Sequence, residues 1–415
     1  MHIYAFILGR KHLISVAELC SVIGSDGKII DIGSEALIAS FDEPLADPQT
    51  SLNRLGGTIK IAEIFNEDIM TKESIAPATA DFLIDKFKDI AGKLSYGLSI
   101  YSFAERHEII LRKTLNSIKK SLVAADIKSR FINHNFQNLE SAAIKGEKLL
   151  QKGAEIVAIQ GTRKIFLGQT VALQDFEEYS HRDYNRPERD PRMGMLPPKL
   201  AQIMINLSGY TKLTQPLSEG KTLLDPFCGI GTVLTEGLLL GYNVIGSDID
   251  EIAVTKTVKN IDWTRNLANT APLRTRVFAY DATTLNKKDL PEEIDLVVTE
   301  SYLGPPVSRM PLPENMRRTF LNITDTVVRF FRAINPLLKK GTPVIICLPF
   351  YRDKHHFSFM ERIVERITDT GFTASAPIPE EIMTKFGLRP LARPSLMYDR
   401  PDQIVGREIF IFTRK

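Results

Sequence analysis

Apolar residues recur along this chain with two different periods, and the change between them organises the sequence. Near the start, Ile3-Tyr4-Ala5-Phe6-Ile7-Leu8 predicts a strand, and the apolar positions from Leu13 to Ile23 recur with helical spacing. From Ala80 the pattern predicts a helix, a strand over 97–101, a helix from about Glu108 to Ala124 and an extended stretch at 129–132. A helix through 142–151 and paired strands over 155–159 and 164–171 follow. After Pro198 strand and helix alternate: strand 221–225, helix 233–240, strand 243–248 and helix 253–266. Further apolar strands are expected at 276–281, 294–299 and 343–348, the last two separated by a long helix through 320–338, and residues 398–412 predict a closing strand. Such alternation predicts an α/β fold with a doubly wound, mostly parallel sheet covered on both faces, in which ligands bind at the carboxyl ends of the strands.

Domain boundaries follow from the same pattern. An N-terminal α/β subdomain is expected over 1–64, a second α+β unit over 65–173, a linker over 174–194 and the doubly wound domain over 195–415. The linker is marked by a shift towards charge and proline, in His181-Arg182-Asp183-Tyr184-Asn185-Arg186-Pro187-Glu188-Arg189-Asp190-Pro191-Arg192. It reads either as an exposed connection or as a basic strap beside an anionic ligand, because guanidinium groups suit phosphate geometry.

Composition changes this picture little. With 415 residues, 43% apolar and 25% charged, the chain resembles an ordinary folded protein of two or three domains. No apolar run approaches the roughly 20 residues needed to cross a bilayer, so a cytoplasmic location is expected. Cys20, Cys228 and Cys347 lie far apart, which predicts reduced thiols and no structural zinc, and His355-His356 has no third ligand at metal spacing. A net charge of +3 does not demand a nucleic-acid partner. Between Arg106 and Arg130, however, Arg106, Arg112, Lys113, Lys119, Lys120, Lys128 and Arg130 face only Glu108 and Asp126. That stretch is either a solvated helix face or part of a nucleic-acid footprint.

The candidate chemistry lies around Asp225, which ends the first strand of the doubly wound domain. The turn Gly229-Ile230-Gly231 leads into a helix that Thr232 is expected to cap, and glycine there lets backbone approach a ligand closely. No P-loop lysine follows, and the third glycine of a dinucleotide fingerprint is missing, since Leu234 follows Val233. Asp248 closes the second strand and Asp281 the third. Three acids at three successive strand ends suit S-adenosylmethionine, which has no phosphate but carries amino, ribose and adenine donors. Cys228 has no nearby histidine to activate it and reads as a small wall residue of the loop.

Asp225-Pro226-Phe227-Cys228-Gly229-Ile230-Gly231-Thr232 resembles motif I of the amino-methyltransferases, and Gly194-Met195-Leu196-Pro197-Pro198-Lys199-Leu200-Ala201-Gln202-Ile203-Met204 resembles their motif X. The order of motifs is similar to that of the tRNA guanosine N2-methyltransferases acting at position 10, whose N-terminal half contains a THUMP RNA-binding domain. Tyr96-Gly97-Leu98-Ser99, Lys148-Leu149-Leu150-Gln151-Lys152-Gly153 and Gly168-Gln169-Thr170-Val171 look like THUMP elements, and Arg182-Asp183-Tyr184-Asn185-Arg186-Pro187 like that family's junction. The resemblance implies a Rossmann-like class I methyltransferase domain preceded by a THUMP-like region. It further implies S-adenosylmethionine as cofactor, held by Pro197, Lys199, Asp225, Pro226, Phe227, Cys228, Gly229, Gly231, Thr232, Asp248, Ile249, Asp281 and Ala282. The RNA would be bound by Lys113, Lys119, Lys120, Lys128, Arg130, Lys148, Arg182 and Arg186. Where the family carries Asp-Pro-Pro-Tyr, this chain has Thr299-Glu300-Ser301-Tyr302, one residue short of register. Glu300 is expected to replace the aspartate as acceptor for the target amine, and Tyr302 to provide the stacking face.

The activity implied is methyl transfer to an exocyclic base amine, foremost guanosine N2 in tRNA. A DNA amino-methyltransferase and an RNA-binding protein that has lost catalysis are the alternatives. The expected partner is tRNA, with a small activator subunit and the oligomeric state left open.

Overall fold

The computed structural model describes residues 1–90, 92–189, 195–214, 220–268, 273–354, 356–400 and 403–415. They form two compact units, of which the first comprises Met1–His12, Ile23–Asn53 and Thr58–Asp175. Among the described residues no helix is long and apolar enough to cross a membrane.

The chain opens with β1 (His2–Leu8), α1 (His12–Ile23), β2 (Gly27–Ile32), β3 (Ala36–Phe41), α2 (Pro48–Asn53) and β4 (Thr58–Ile69). It continues with α3 (Ile75–Phe87), β5 (Leu94–Tyr101), α4 (His107–Ala124), β6 (Ser129–Phe131), α5 (Ser141–Gly146), α6 (Leu149–Lys152), β7 (Gly153–Gln160) and β8 (Ile165–Leu173). One sheet joins the strands in the order β2-β3-β1-β4-β8-β7-β5-β6, with β5 parallel to both β6 and β7. The basic helix α4 buries Leu111, Leu115, Ile118 and Leu122, spaced to share one face, against Leu94, Tyr96, Leu98 and Ile156. Its lysines are thereby left on the outer side.

Two expectations change here. A separate subdomain over 1–64 does not form, because β4 crosses that border and pairs with β1 on one side and β8 on the other. The helix expected through 142–151 is two short helices, broken where Lys148 takes a left-handed φ of 53°.

The second unit comprises Leu13–Val22, Arg54–Gly57 and Phe176–Lys415. Its elements after the first unit are α7 (Phe176–Tyr184), α8 (Pro198–Asn206), β9 (Thr222–Asp225), α9 (Thr232–Leu239), β10 (Asn243–Asp248), α10 (Glu251–Ala268), β11 (Thr275–Ala279) and β12 (Leu296–Glu300). Then come α11 (Pro313–Ile334), β13 (Pro343–Asp353), β14 (His356–Ser358), α12 (Ile363–Thr368), β15 (Phe372–Ser375), α13 (Glu380–Lys385), β16 (Ser395–Tyr398) and β17 (Val405–Arg414). The sheet runs β11-β10-β9-β12-β13-β17-β15, with β14 on β13 and β16 on β17. The first five strands are mutually parallel, and β17 is antiparallel to β13, β15 and β16. Amphipathic α11 closes one face with Ile323, Val327, Phe330, Phe331 and Ile334, packed with Phe372, Phe410 and Phe412.

The stretch read as a linker is part of this unit. Phe176–Tyr184 is helical, with Tyr179 buried, and Arg186 is buried too; residues 190–194, including Gly194 of the motif X stretch, lie outside the described residues. So do His355 of the histidine pair and Pro401 and Asp402 of the closing segment. Helix α1 also contributes. Ser15 Oγ donates to the Gly57 carbonyl at 2.7 Å, and the buried Glu18 carboxylate accepts from Gly56 N (2.9 Å), Gly57 N (2.8 Å) and Asn206 Nδ2 (2.7 Å). Burial outweighs these three donors and pushes the Glu18 carboxyl up to about 7.

Candidate active site

β9 is buried along its whole length and ends on Asp225, 2% exposed. The loop that follows turns sharply: Gly231 N donates to the Cys228 carbonyl at 2.7 Å, with φ at +53° for Gly229 and +85° for Gly231. Gly231 is required twice over, because a Cβ there would also lie 2.7 Å from Thr257 Cγ2. At Gly229 the space a Cβ would enter holds no atom within 4 Å, so a ligand can lie directly on the backbone. From α10, Thr257 Oγ1 donates to the Gly229 carbonyl (2.7 Å) and Asn260 Nδ2 to the Ile230 carbonyl (2.8 Å), which fixes the loop.

Strand register brings the three acids to one edge. Asp225 is level with Gly246 on β10, Asp248 is level with Ala279 on β11, and Asp281 follows two residues later. Asp248 accepts from Gly229 N at 2.8 Å and from Asp250 N at 3.0 Å, and Asp281 accepts from Thr283 N at 2.8 Å. Beside them Ile249 leaves 75% of its side chain in water, an apolar surface suited to a flat ring, while Ala282 is buried. The Asp225 carboxyl is pushed up to about 7, chiefly by burial and further by Asp248 and Glu300, against hydrogen bonds from Thr299 Oγ1 (2.6 Å) and Phe227 N (3.3 Å).

Several expected roles are revised by these contacts. Thr232 does not cap α9, since Gly231 holds that position; its hydroxyl instead accepts from Arg186 Nη1 at 2.7 Å. Arg186 also points Nη2 at Met195 Sδ, 3.3 Å away, which ties the motif X stretch to the loop. Arg182 pairs with buried Glu236 (3.0 Å) and lies 4.3 Å over the Tyr179 ring. Both arginines are thus interior residues of the second unit and not an exposed RNA strap, because acids and an aromatic face supply the partners that burial requires. Lys199 sits 4.8 Å over Tyr179, and Pro197 precedes the first turn of α8. Cys228 is buried beside Thr257, and burial with Asp225 and Asp248 pushes its thiol well up.

Glu300 ends β12 between β9 and β13. It is already engaged: Arg407 Nε donates to Oε1 at 2.6 Å and Nη2 to Oε2 at 3.4 Å. Burial raises the Glu300 carboxyl and Arg407 opposes that rise. Tyr302, two residues on, is 60% exposed and presents its ring to solvent. Sequence reasoning missed Arg407 and Thr299; the available signal was an Arg-Glu pair inside the apolar closing strand, and a hydroxyl directly before the acid.

In the first unit Lys113, Lys120, Lys128 and Lys148 are exposed. Lys119 instead donates to the Ser129 carbonyl and lies 3.2 Å from Ser129 Oγ, and Arg130 pairs with Glu147 and donates to Ser95 Oγ at 3.0 Å. Arg112 pairs with Glu108 at 2.7 Å and covers the Phe136 ring at 4.8 Å.

The RMKL-like methyltransferase domain matches residues 186–330. A tRNA (guanine(10)-N2)-dimethyltransferase of Methanothermobacter thermautotrophicus is 30% identical over 377 residues, 87% of this chain and 94% of its own length. Its counterpart in Methanocaldococcus jannaschii is 31% identical over 147 residues, 34% of this chain and 40% of that protein. The crystal structure of TrmN from Thermus thermophilus, 13% identical, shares the fold with a TM-score of 0.52 over the whole of both chains.

Proposed function

The chain belongs to the tRNA (guanine(10)-N2)-dimethyltransferase family, and from that premise we propose that it methylates the N2 amine of a guanosine in tRNA. The likeness over 94% of a relative of that activity carries this reading. S-adenosylmethionine is the methyl donor.

Bound there, the cofactor supplies an electrophilic methyl group on sulfonium. In this reading Asp225, Asp248 and Asp281 answer its amino, ribose and adenine donors, Ile249 covers the purine, and the backbone at Gly229 allows close approach. An exocyclic amine is a weak nucleophile, so the protein's contribution is to hold it in line, with Glu300 and the backbone after β12 accepting its hydrogens and Tyr302 stacking on the base. The guanine must be splayed or flipped to reach this edge. The first unit, THUMP-like in this reading, presents the tRNA through Lys113, Lys120, Lys128 and Lys148. A cytoplasmic location follows from the substrate.

Nucleoside mass spectrometry of tRNA incubated with the protein and methyl-labelled S-adenosylmethionine tests the proposal. Labelled N2-methylguanosine or N2,N2-dimethylguanosine is the expected product; label on another base, or none, overturns it. The engagement of Glu300 by Arg407 favours one competing reading, an RNA-binding protein of the same fold without transfer. Absence of label together with tight tRNA binding would select it.

A further inference from the structure

Arg407 reaches Glu300 from across the sheet. On β13, Cys347 is level with Glu300 of β12 on one side and Ile409 of β17 on the other, while Pro349 is level with Arg407. The guanidinium therefore spans β13 to meet the carboxylate with two of its nitrogens, and the pair is nearly dry, with 4% of the Arg407 side chain and 17% of the Glu300 side chain exposed. Other charged or titratable groups near the pair are Asp225 from β9, Cys347 from β13, and Tyr398 and Arg400 about Arg407.

A carboxylate taken out of water favours its protonated form, which donates a hydrogen bond where the reaction needs an acceptor. A fixed cation at 2.6 Å opposes that protonation, and two contacts fix the carboxylate's orientation as well. The longer arm of glutamate also matters. Aspartate at position 300 would end one methylene short of a guanidinium that has to reach over a strand, so the departure from Asp-Pro-Pro-Tyr and Arg407 form a matched pair.

Building on the methyl-transfer reading, we propose that Arg407 is a positioning residue of the reaction, holding Glu300 ionised and aimed so that it accepts hydrogen from the attacking amine. In the step, the amine nitrogen bonds the methyl carbon while the carbon–sulfur bond breaks and leaves its electron pair on sulfur. The resulting cationic nitrogen passes one proton to Glu300, which releases it to water. Arg407 changes no bond.

Rate–pH profiles at saturating tRNA and S-adenosylmethionine test this in the full-length protein. Arg407→Gln is expected to lose about tenfold or more in kcat near pH 6.5 and to recover most of it towards pH 9, because one unit of pKa is about a factor of ten. Arg407→Lys, which keeps the charge, should shift the acid limb far less, and Glu300→Gln should remove that limb. A loss of equal size at every pH, or none, overturns the proposal. Should Arg407→Gln fail to fold, Glu300→Asp gives the same comparison: its acid limb is expected to move up, and an unmoved limb counts against the pairing. If the wild type methylates no tRNA at any pH, the activity reading has failed, and the pair is then read without turnover. Carbon NMR titration of the Glu300 carboxyl, assigned by its loss in Glu300→Gln, should show a higher midpoint in Arg407→Gln and a much smaller change in Arg407→Lys; a wild-type midpoint in Arg407→Gln overturns the pairing independently.

Discussion

In the first unit, Lys60 and Glu155 meet near the middle of the sheet at 2.6 Å, with 2% and 0% of their side chains exposed. Every oxygen of that carboxylate is answered, by Lys60 and Ser99 on one side and Thr170 on the other, and Lys60 also donates to the Leu139 carbonyl. In the second unit the buried acid of the candidate site lies at a strand end. There Asp225 leans on one hydroxyl and one backbone N–H, and its carboxyl is pushed up to about 7. Buried charge that is fully partnered inside a sheet specifies a fold, whereas a buried carboxylate with fewer partners at the carboxyl edge of parallel strands, as Asp225 is, keeps a shifted protonation that chemistry can use.

The contrast can be broken most forcefully at Lys60. Lys60→Met strands the Glu155 carboxylate and is expected to cost about 3–5 kcal/mol in urea unfolding while calorimetric S-adenosylmethionine affinity stays as in the wild type. A cost near zero would show that the inner pair specifies nothing. Next in size, Asp248→Ala should lose about 1.5–3 kcal/mol of cofactor binding, roughly ten- to a hundredfold, with the unfolding midpoint retained. Wild-type affinity in that variant would remove Asp248 from the site.

Asp225 gives a pH-dependent effect. Its folded-state carboxyl is raised from 3.8 to about 7, so the stability it contributes is full below about 4 and is lost as the pH rises through about 7. Relative to Asp225→Asn, the wild type should therefore weaken across that window, by up to about 1.4 kcal/mol per pH unit; parallel stability curves would show the carboxyl to be unperturbed. Smallest of all, Lys120→Ala should flatten the salt dependence of tRNA binding by about one counterion, and Lys119→Ala by less, since Ser129 already holds that ammonium. Equal slopes in all three proteins would return α4 to a solvated surface.

Much of the second unit could be read beforehand, because β9, β10 and β12 are short apolar runs and each meets an acid where the sheet ends. The glycine turn was equally plain, since few loops need positive φ at two positions so close together. Contacts between residues distant in sequence were not. The Glu300–Arg407 pair spans 107 positions, and only the antiparallel pairing of β17 with β13 brings it together. Arg182 and Arg186 misled for a physical reason: charge beside proline suggests a surface, yet Glu236, Thr232 and the Tyr179 ring give these arginines an interior lodging that composition cannot reveal. The 64/65 border failed because β4 is 12 residues long and carries pairing on both edges.

Helix α1 and the Arg54–Gly57 turn carry a practical lesson. Because Leu13–Val22 and Arg54–Gly57 belong to the second unit, no one scission releases that unit intact. A fragment beginning at Phe176 would leave the Asn206 amide without Glu18. Protease nicking after Asp175 should therefore yield pieces that travel together, and a ribosome still making the tail would already have delivered part of the second unit's scaffold.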